Sequence, residues 1–206
     1  MFSKEKIWLL FLVICGWFAL GGQFYLNITS NVAPIPELLV RFFSYFTILT
    51  NLIVAICSTV LLLKIPDEWY LFFKIRAAQT AVLVYILVVG LVYNLVLRTL
   101  WSPEGLQKIV DELLHSVIPL LYLGFWWCCK NTSMAPKQSV VGWLIYPLLY
   151  LFFILIRGYF SGFYPYPFVN VDQLSLSQVL VNCLVLTLLF FGLSLVLKTI
   201  DQKRRA

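Results

Sequence analysis

Six apolar runs, each about the length of a helix that crosses a bilayer, divide this chain from end to end and leave it almost no other way to fold. A hydrocarbon core roughly 30 Å thick needs about 20 residues of helix. Such runs lie at Ile7 to Leu26, Leu38 to Leu63, Ala77 to Leu97, Ile109 to Cys128, Val140 to Ile156 and Gln178 to Leu197. Backbone N–H and C=O groups find no water at that depth, so each run must be helical. The expectation is an all-α, polytopic integral membrane bundle of six transmembrane helices, one domain over residues 1–206. With 62% hydrophobic and 12% charged residues, the connections leave no room for a soluble catalytic domain, and any chemistry must happen in or at the bilayer.

The first run follows Lys4 and Lys6 and contains Ala19, Gly21 and Gly22, but it is long for a signal-peptide core and lacks a clear cleavage signal, so it reads as a helix. With a cytoplasmic N-terminus, the inner segments collect Lys4, Lys6, Lys64, Lys74, Arg76, Lys130, Lys137, Lys198, Lys203, Arg204 and Arg205, while Arg41, Arg98, Lys108 and Arg157 fall outside. That bias predicts both termini in the cytoplasm and outer loops at Asn27 to Glu37, Arg98 to Lys108 and Arg157 to Ser177. The net charge of +6 is therefore a topology signal, and no soluble basic face is left to carry nucleic acid.

Cys15, Cys57, Cys128, Cys129 and Cys183 show no metal-ligand spacing and read as small core residues. Trp69, Tyr70, Trp101, Trp126, Trp127 and Tyr164 fall near run ends and read as an interfacial aromatic belt. The sequons at Asn27 and Asn131 carry no functional weight, and no internal repeat or pair of interrupted helices suggests an inverted-repeat transporter.

Ionisable side chains at membrane depth cost at least roughly 2.5 kcal/mol at a helix centre and usually mark function. His115, the only histidine, sits within the fourth run beside Asp111 and Glu112. Asp111, Glu112, His115, Pro119 and Tyr122 form one stripe at helical spacing, and Ser44, Thr47, Thr50, Asn51 and Ser58 form another in the second run. At about 1.5 Å per residue, Thr47 lies roughly 14 Å and His115 roughly 9 Å from the outer ends of their runs, so the two stripes can meet in the outer half of the membrane. Tyr93, Asn94 and Asn182 approach the same layer, below a rim of Arg41, Arg98 and Arg157.

A hydroxyl, an imidazole and an acidic neighbour in an apolar cavity are the parts of an acyl-transfer site, in which a base takes the nucleophile's proton and returns it to the leaving group. No G-x-S-x-G, H-E-x-x-H or P-loop pattern competes with this reading. Ser44, Thr50 and Asn51 taken singly are ordinary interhelical hydrogen-bonding groups. His115 is balanced between catalysis or proton handling and a structural hydrogen bond.

The stretches Arg41-Phe42-Phe43-Ser44-Tyr45-Phe46-Thr47-Ile48-Leu49-Thr50-Asn51-Leu52, Tyr93-Asn94-Leu95-Val96-Leu97-Arg98, Leu114-His115-Ser116-Val117-Ile118-Pro119 and Tyr164-Pro165-Tyr166-Pro167-Phe168 occur in this order along the chain. Together they resemble the androgen-induced protein family, in particular its compact bacterial branch. Animal members are multi-pass hydrolases of fatty-acid esters of hydroxy fatty acids, with a threonine nucleophile and a histidine partner. The resemblance implies Thr47 and His115 in those roles, a lipid-ester substrate and a bacterial inner or plasma membrane location. Thr50 is the rival nucleophile, because Phe46-Thr47-Ile48-Leu49-Thr50-Asn51 stands where the animal proteins carry one threonine and an aspartate.

Combined with the residue reading, Asn51, Asn94 or Asn182 would donate to the oxyanion, and Arg41 would hold a substrate carboxylate. Glu112 is directed outward or serves as a third acid. No metal or organic cofactor is needed. The competing class is a lipid-binding or proton-coupled solute transport protein using the same polar cavity.

Overall fold

A computed structural model of the chain describes residues 4–65, 68–129 and 139–205. Lys130, Lys137 and the Asn131 sequon lie outside the described residues. Six helices are long and apolar enough to cross a membrane, and there is no strand among the described residues. They are α1 (Lys4–Thr29), α3 (Phe46–Leu63), α5 (Arg76–Leu95), the pair α6 (Gly105–Glu112) and α7 (Ile118–Cys128) joined by a π-helical turn, α8 (Val140–Ser161) and α9 (Leu176–Arg205). Two short helices complete the set: α2 (Ile35–Phe42) before α3, and α4 (Glu68–Lys74) between α3 and α5.

The outermost helices show the inverse of a soluble pattern. Phe11, Phe18, Phe152, Phe160, Leu180 and Leu188 are all more than half exposed on α1, α8 and α9. Such faces are stable against lipid tails, and helix association then depends on close packing and on polar contacts rather than on apolar burial. Gly16 of α1 supplies the first, since a Cβ there would meet Ala55 of α3 at 3.2 Å. The Trp17 indole supplies the second, donating to the Thr59 hydroxyl at 3.0 Å.

The central element is α5, packed against α3, α7 and α9. Its first residue, Arg76, makes a buried ion pair of 2.8 Å with Asp201 of α9, 3% exposed on each side, while the guanidinium lies 4.2 Å from the Trp126 ring centre and donates to the Cys129 carbonyl. Trp126 is thus fully buried, donating to the Thr80 hydroxyl, and leaves the interfacial belt expected from sequence. Cys128 departs from expectation in the other direction: it is exposed, whereas Cys57 and Cys183 are buried.

Prolines within the spanning helices free carbonyls, and α5 captures them. Pro147 has no N–H to offer the Trp143 carbonyl one turn earlier, and that oxygen accepts the Tyr85 hydroxyl at 2.8 Å. Pro119 creates the same vacancy in the fourth span, where the chain adopts the π turn Leu113–Val117, with the Ile118 N–H reaching back to the Leu113 carbonyl. Pro119 would otherwise serve the carbonyl of His115 in α-helical register or of Leu114 in π register. The first accepts Asn94 Nδ2 at 3.3 Å and the second accepts Asn51 Nδ2 at 3.2 Å. Gly90 lets α5 come this close, since a Cβ there would lie 3.0 Å from the His115 oxygen.

The second span is not one helix. Residues 43–45 break it between α2 and α3, so Ser44 lies outside the regular stripe expected with Thr47, Thr50, Asn51 and Ser58, although all five are buried. The Ser44 carbonyl accepts Tyr150 from α8, which in turn accepts the Phe46 N–H. The segment after α8 leaves it through Gly162, at φ +66, a backbone angle that favours glycine. It then folds back over the bundle end, with Tyr164 seated on Gly158, where a Cβ would clash with the ring.

Candidate functional site

Both irregularities meet at one place. Thr47 is the second residue of α3, just after the break, and His115 is the middle residue of the π turn. The Thr47 hydroxyl lies 3.4 Å from His115 Nε2, and both side chains are buried. His115 Nδ1 lies 2.9 Å from the Asp111 backbone carbonyl, which can only accept. Nδ1 therefore carries the proton, and in the neutral ring Nε2 presents its lone pair to the threonine. Tyr93 of α5 stacks on the imidazole, 3.9 Å between centroids at 13°, and fixes its plane.

A third partner comes from the segment that folds over the bundle end. The Tyr166 hydroxyl accepts the Thr47 N–H at 3.2 Å and lies 3.4 Å from the Thr47 hydroxyl. Burial pushes the Tyr166 phenol up to about 12, so it remains an O–H donor at neutral pH. The first turn of α3 adds its positive dipole end to the same spot. Sequence reasoning placed Tyr166 in a notable aromatic loop but gave it no role.

Thr47, His115 and Tyr166 are among the residues lining an apolar cavity of about 80 Å³, walled by α5, α8 and α9 through side chains such as Val88, Val92, Leu144, Leu148 and Phe190. An imidazole base, a hydroxyl and a phenolic donor on the wall of an apolar cavity can perform acyl transfer on an ester with a hydrocarbon chain.

Several expected partners are placed differently. Thr50 pairs its hydroxyl with Tyr146 at 3.2 Å and lies away from the imidazole, so the geometry separates it from Thr47. Both amide hydrogens of Asn51 are taken by the Thr47 and Leu114 carbonyls, and Asn94 bonds the Gly90 and His115 carbonyls. Asn182 donates to the Phe168 carbonyl and accepts from Gln178. These asparagines satisfy backbone groups and do not aim at an oxyanion. Asn94→Ala is expected to destabilise the folded protein by about 1–3 kcal/mol through the unpaired His115 carbonyl, read as a lower unfolding midpoint in detergent.

Arg41 is engaged elsewhere too. It hydrogen-bonds Glu37 at 2.8 Å and lies 4.5 Å from the Phe163 ring centre, and Arg157 binds the same carboxylate at 2.9 Å and lies 4.7 Å from the same ring. The Arg41 hydrogen bond, with Arg157 nearby, holds the Glu37 carboxyl below the usual carboxylate range. Glu112 faces outward to an ion pair with Arg98, so the group that orients His115 is the Asp111 backbone and not a third acid. Arg98 also lies 5.6 Å from the Tyr93 ring, which makes it the rim arginine nearest the imidazole stack. The Asp111 carboxylate is held by Trp101 and Gln107.

No protein-family model, no curated protein and no solved structure matches the chain.

Proposed function

We propose that the chain is an intramembrane threonine hydrolase that cleaves lipid esters, with fatty-acid esters of hydroxy fatty acids as the class suggested by its resemblance to the androgen-induced protein family. The observation that carries this reading is the tautomer-defined approach of His115 Nε2 to the Thr47 hydroxyl on the wall of an apolar cavity. His115 takes the Thr47 proton as Oγ1 attacks the ester carbonyl. The tetrahedral oxygen receives the Tyr166 O–H, and the leaving alkoxide departs with the proton from His115. Water, deprotonated by His115, then cleaves the threonyl ester to release the fatty acid and restore the hydroxyl. The excess of basic residues on the inner segments supports cytoplasmic termini and a site in the outer half of the membrane, and the resemblance suggests a bacterial inner or plasma membrane.

Labelling of the detergent-solubilised protein with a fluorophosphonate tests this directly. The expected product is an adduct on Thr47, mapped by mass spectrometry and absent in His115→Ala. No adduct in folded protein would shift the reading to lipid binding or proton-coupled transport through the same cavity. Tyr166→Phe is expected to lower turnover by about 10²–10³-fold with little change in KM, the effect of losing one oxyanion donor.

A further inference from the structure

At the opposite end of the bundle, a second cavity of about 480 Å³ opens between α1, α3, α4 and α7. Among the described residues that line it are Lys4 and Lys6 of α1, Lys64 at the end of α3 and Lys74 of α4, together with Glu5. Lys64 is held in a left-handed backbone conformation, φ 51, as the cap of α3. Deeper in, the cavity is lined by Leu9, Leu61 and Phe125. Beside it, the short helix α4 exposes Trp69, Leu71 and Phe72, each more than half accessible, in the manner of an element lying at the bilayer surface. A basic mouth above apolar side chains suits a phospholipid with a net negative headgroup: Lys4 and Lys64 take the phosphodiester, and Leu9, Leu61 and Phe125 take the start of an acyl chain.

We infer that this basic cavity is a binding site for the headgroup of an anionic phospholipid, separate from the Thr47 and His115 pair. It does not depend on the hydrolase reading, because its residues and ligand are different.

Native mass spectrometry of the full-length protein in detergent tests it, with phosphatidylglycerol and phosphatidylcholine of identical acyl chains as competing probes. Wild type is expected to retain phosphatidylglycerol preferentially. A Lys4→Gln, Lys64→Gln double variant should lose about 25-fold in affinity for it, at about fivefold per lysine, with phosphatidylcholine unchanged. The Lys4→Arg, Lys64→Arg variant should restore binding, which separates lost charge from lost folding. A tenfold excess of inorganic phosphate should leave the lipid in place. Equal retention of the two lipids by wild type, undiminished phosphatidylglycerol binding by the glutamine variant, failure of the arginine variant, or displacement by inorganic phosphate would each overturn the assignment.

Discussion

His115→Ala is expected to slow hydrolysis of a long-chain ester by about 10²–10⁴-fold, the usual contribution of a positioned general base. Thr47→Ala is expected to remove covalent turnover altogether. Both effects rest on one contact: with Nδ1 tied to the Asp111 carbonyl, Nε2 presents its lone pair to the Thr47 hydroxyl. Thr47→Ser should keep much of the activity, because the hydroxyl and its proton path are preserved. Thr50→Ala should change turnover by no more than a few fold, since the Thr50 hydroxyl serves Tyr146. The measurement is steady-state hydrolysis by purified variants whose elution and unfolding midpoints match wild type. Wild-type rates in both the Thr47→Ala and His115→Ala proteins would sink the Thr/His mechanism.

Asp201→Ala is expected to be among the most destabilising single changes, by roughly 3–5 kcal/mol, although it lies at the far end of the molecule from the candidate site. It leaves the Arg76 guanidinium buried without its carboxylate. The Trp126 face and the Cys129 carbonyl remain as partners and place the loss toward the lower part of that range. Replacing both members by apolar residues, Arg76→Met with Asp201→Leu, should recover most of the lost stability, because the cost is an uncompensated charge more than the loss of an attraction. Thermal unfolding in detergent reads both. A double variant no more stable than Asp201→Ala would contradict this account.

The six spans were legible because each must supply about 20 apolar residues, a requirement that few substitutions can disguise. Thr47 and His115 were legible as polar residues inside such runs. The break at residues 43–45 was not, because Phe43, Ser44 and Tyr45 include neither glycine nor proline and continue an apolar run without interruption. The Ser44 carbonyl and the N–H groups of Phe46 and Thr47 that open α3 are satisfied by Tyr150 and Tyr166, which are remote in sequence. Arg76 and Asp201 fell into predicted loops, where a tally of basic residues records sign but not pairing. The asparagines stood out in the sequence as polar groups in or beside apolar runs. Asn182 serves the Phe168 carbonyl, while the duty of Asn51 and Asn94 follows from Pro119, whose missing N–H leaves carbonyls that side chains on other helices serve.

That last relation makes Pro119 and Asn94 a single heritable character. A lineage that lost the asparagine would leave the His115 carbonyl without its side-chain donor, and one that lost the proline would supply it with a backbone N–H once the turn relaxed to α-helical register, leaving Asn94 redundant. The two positions should therefore change together or not at all. Tyr85 and Pro147 should keep the same company through the Trp143 carbonyl, so that α5 holds both proline-bearing helices in register.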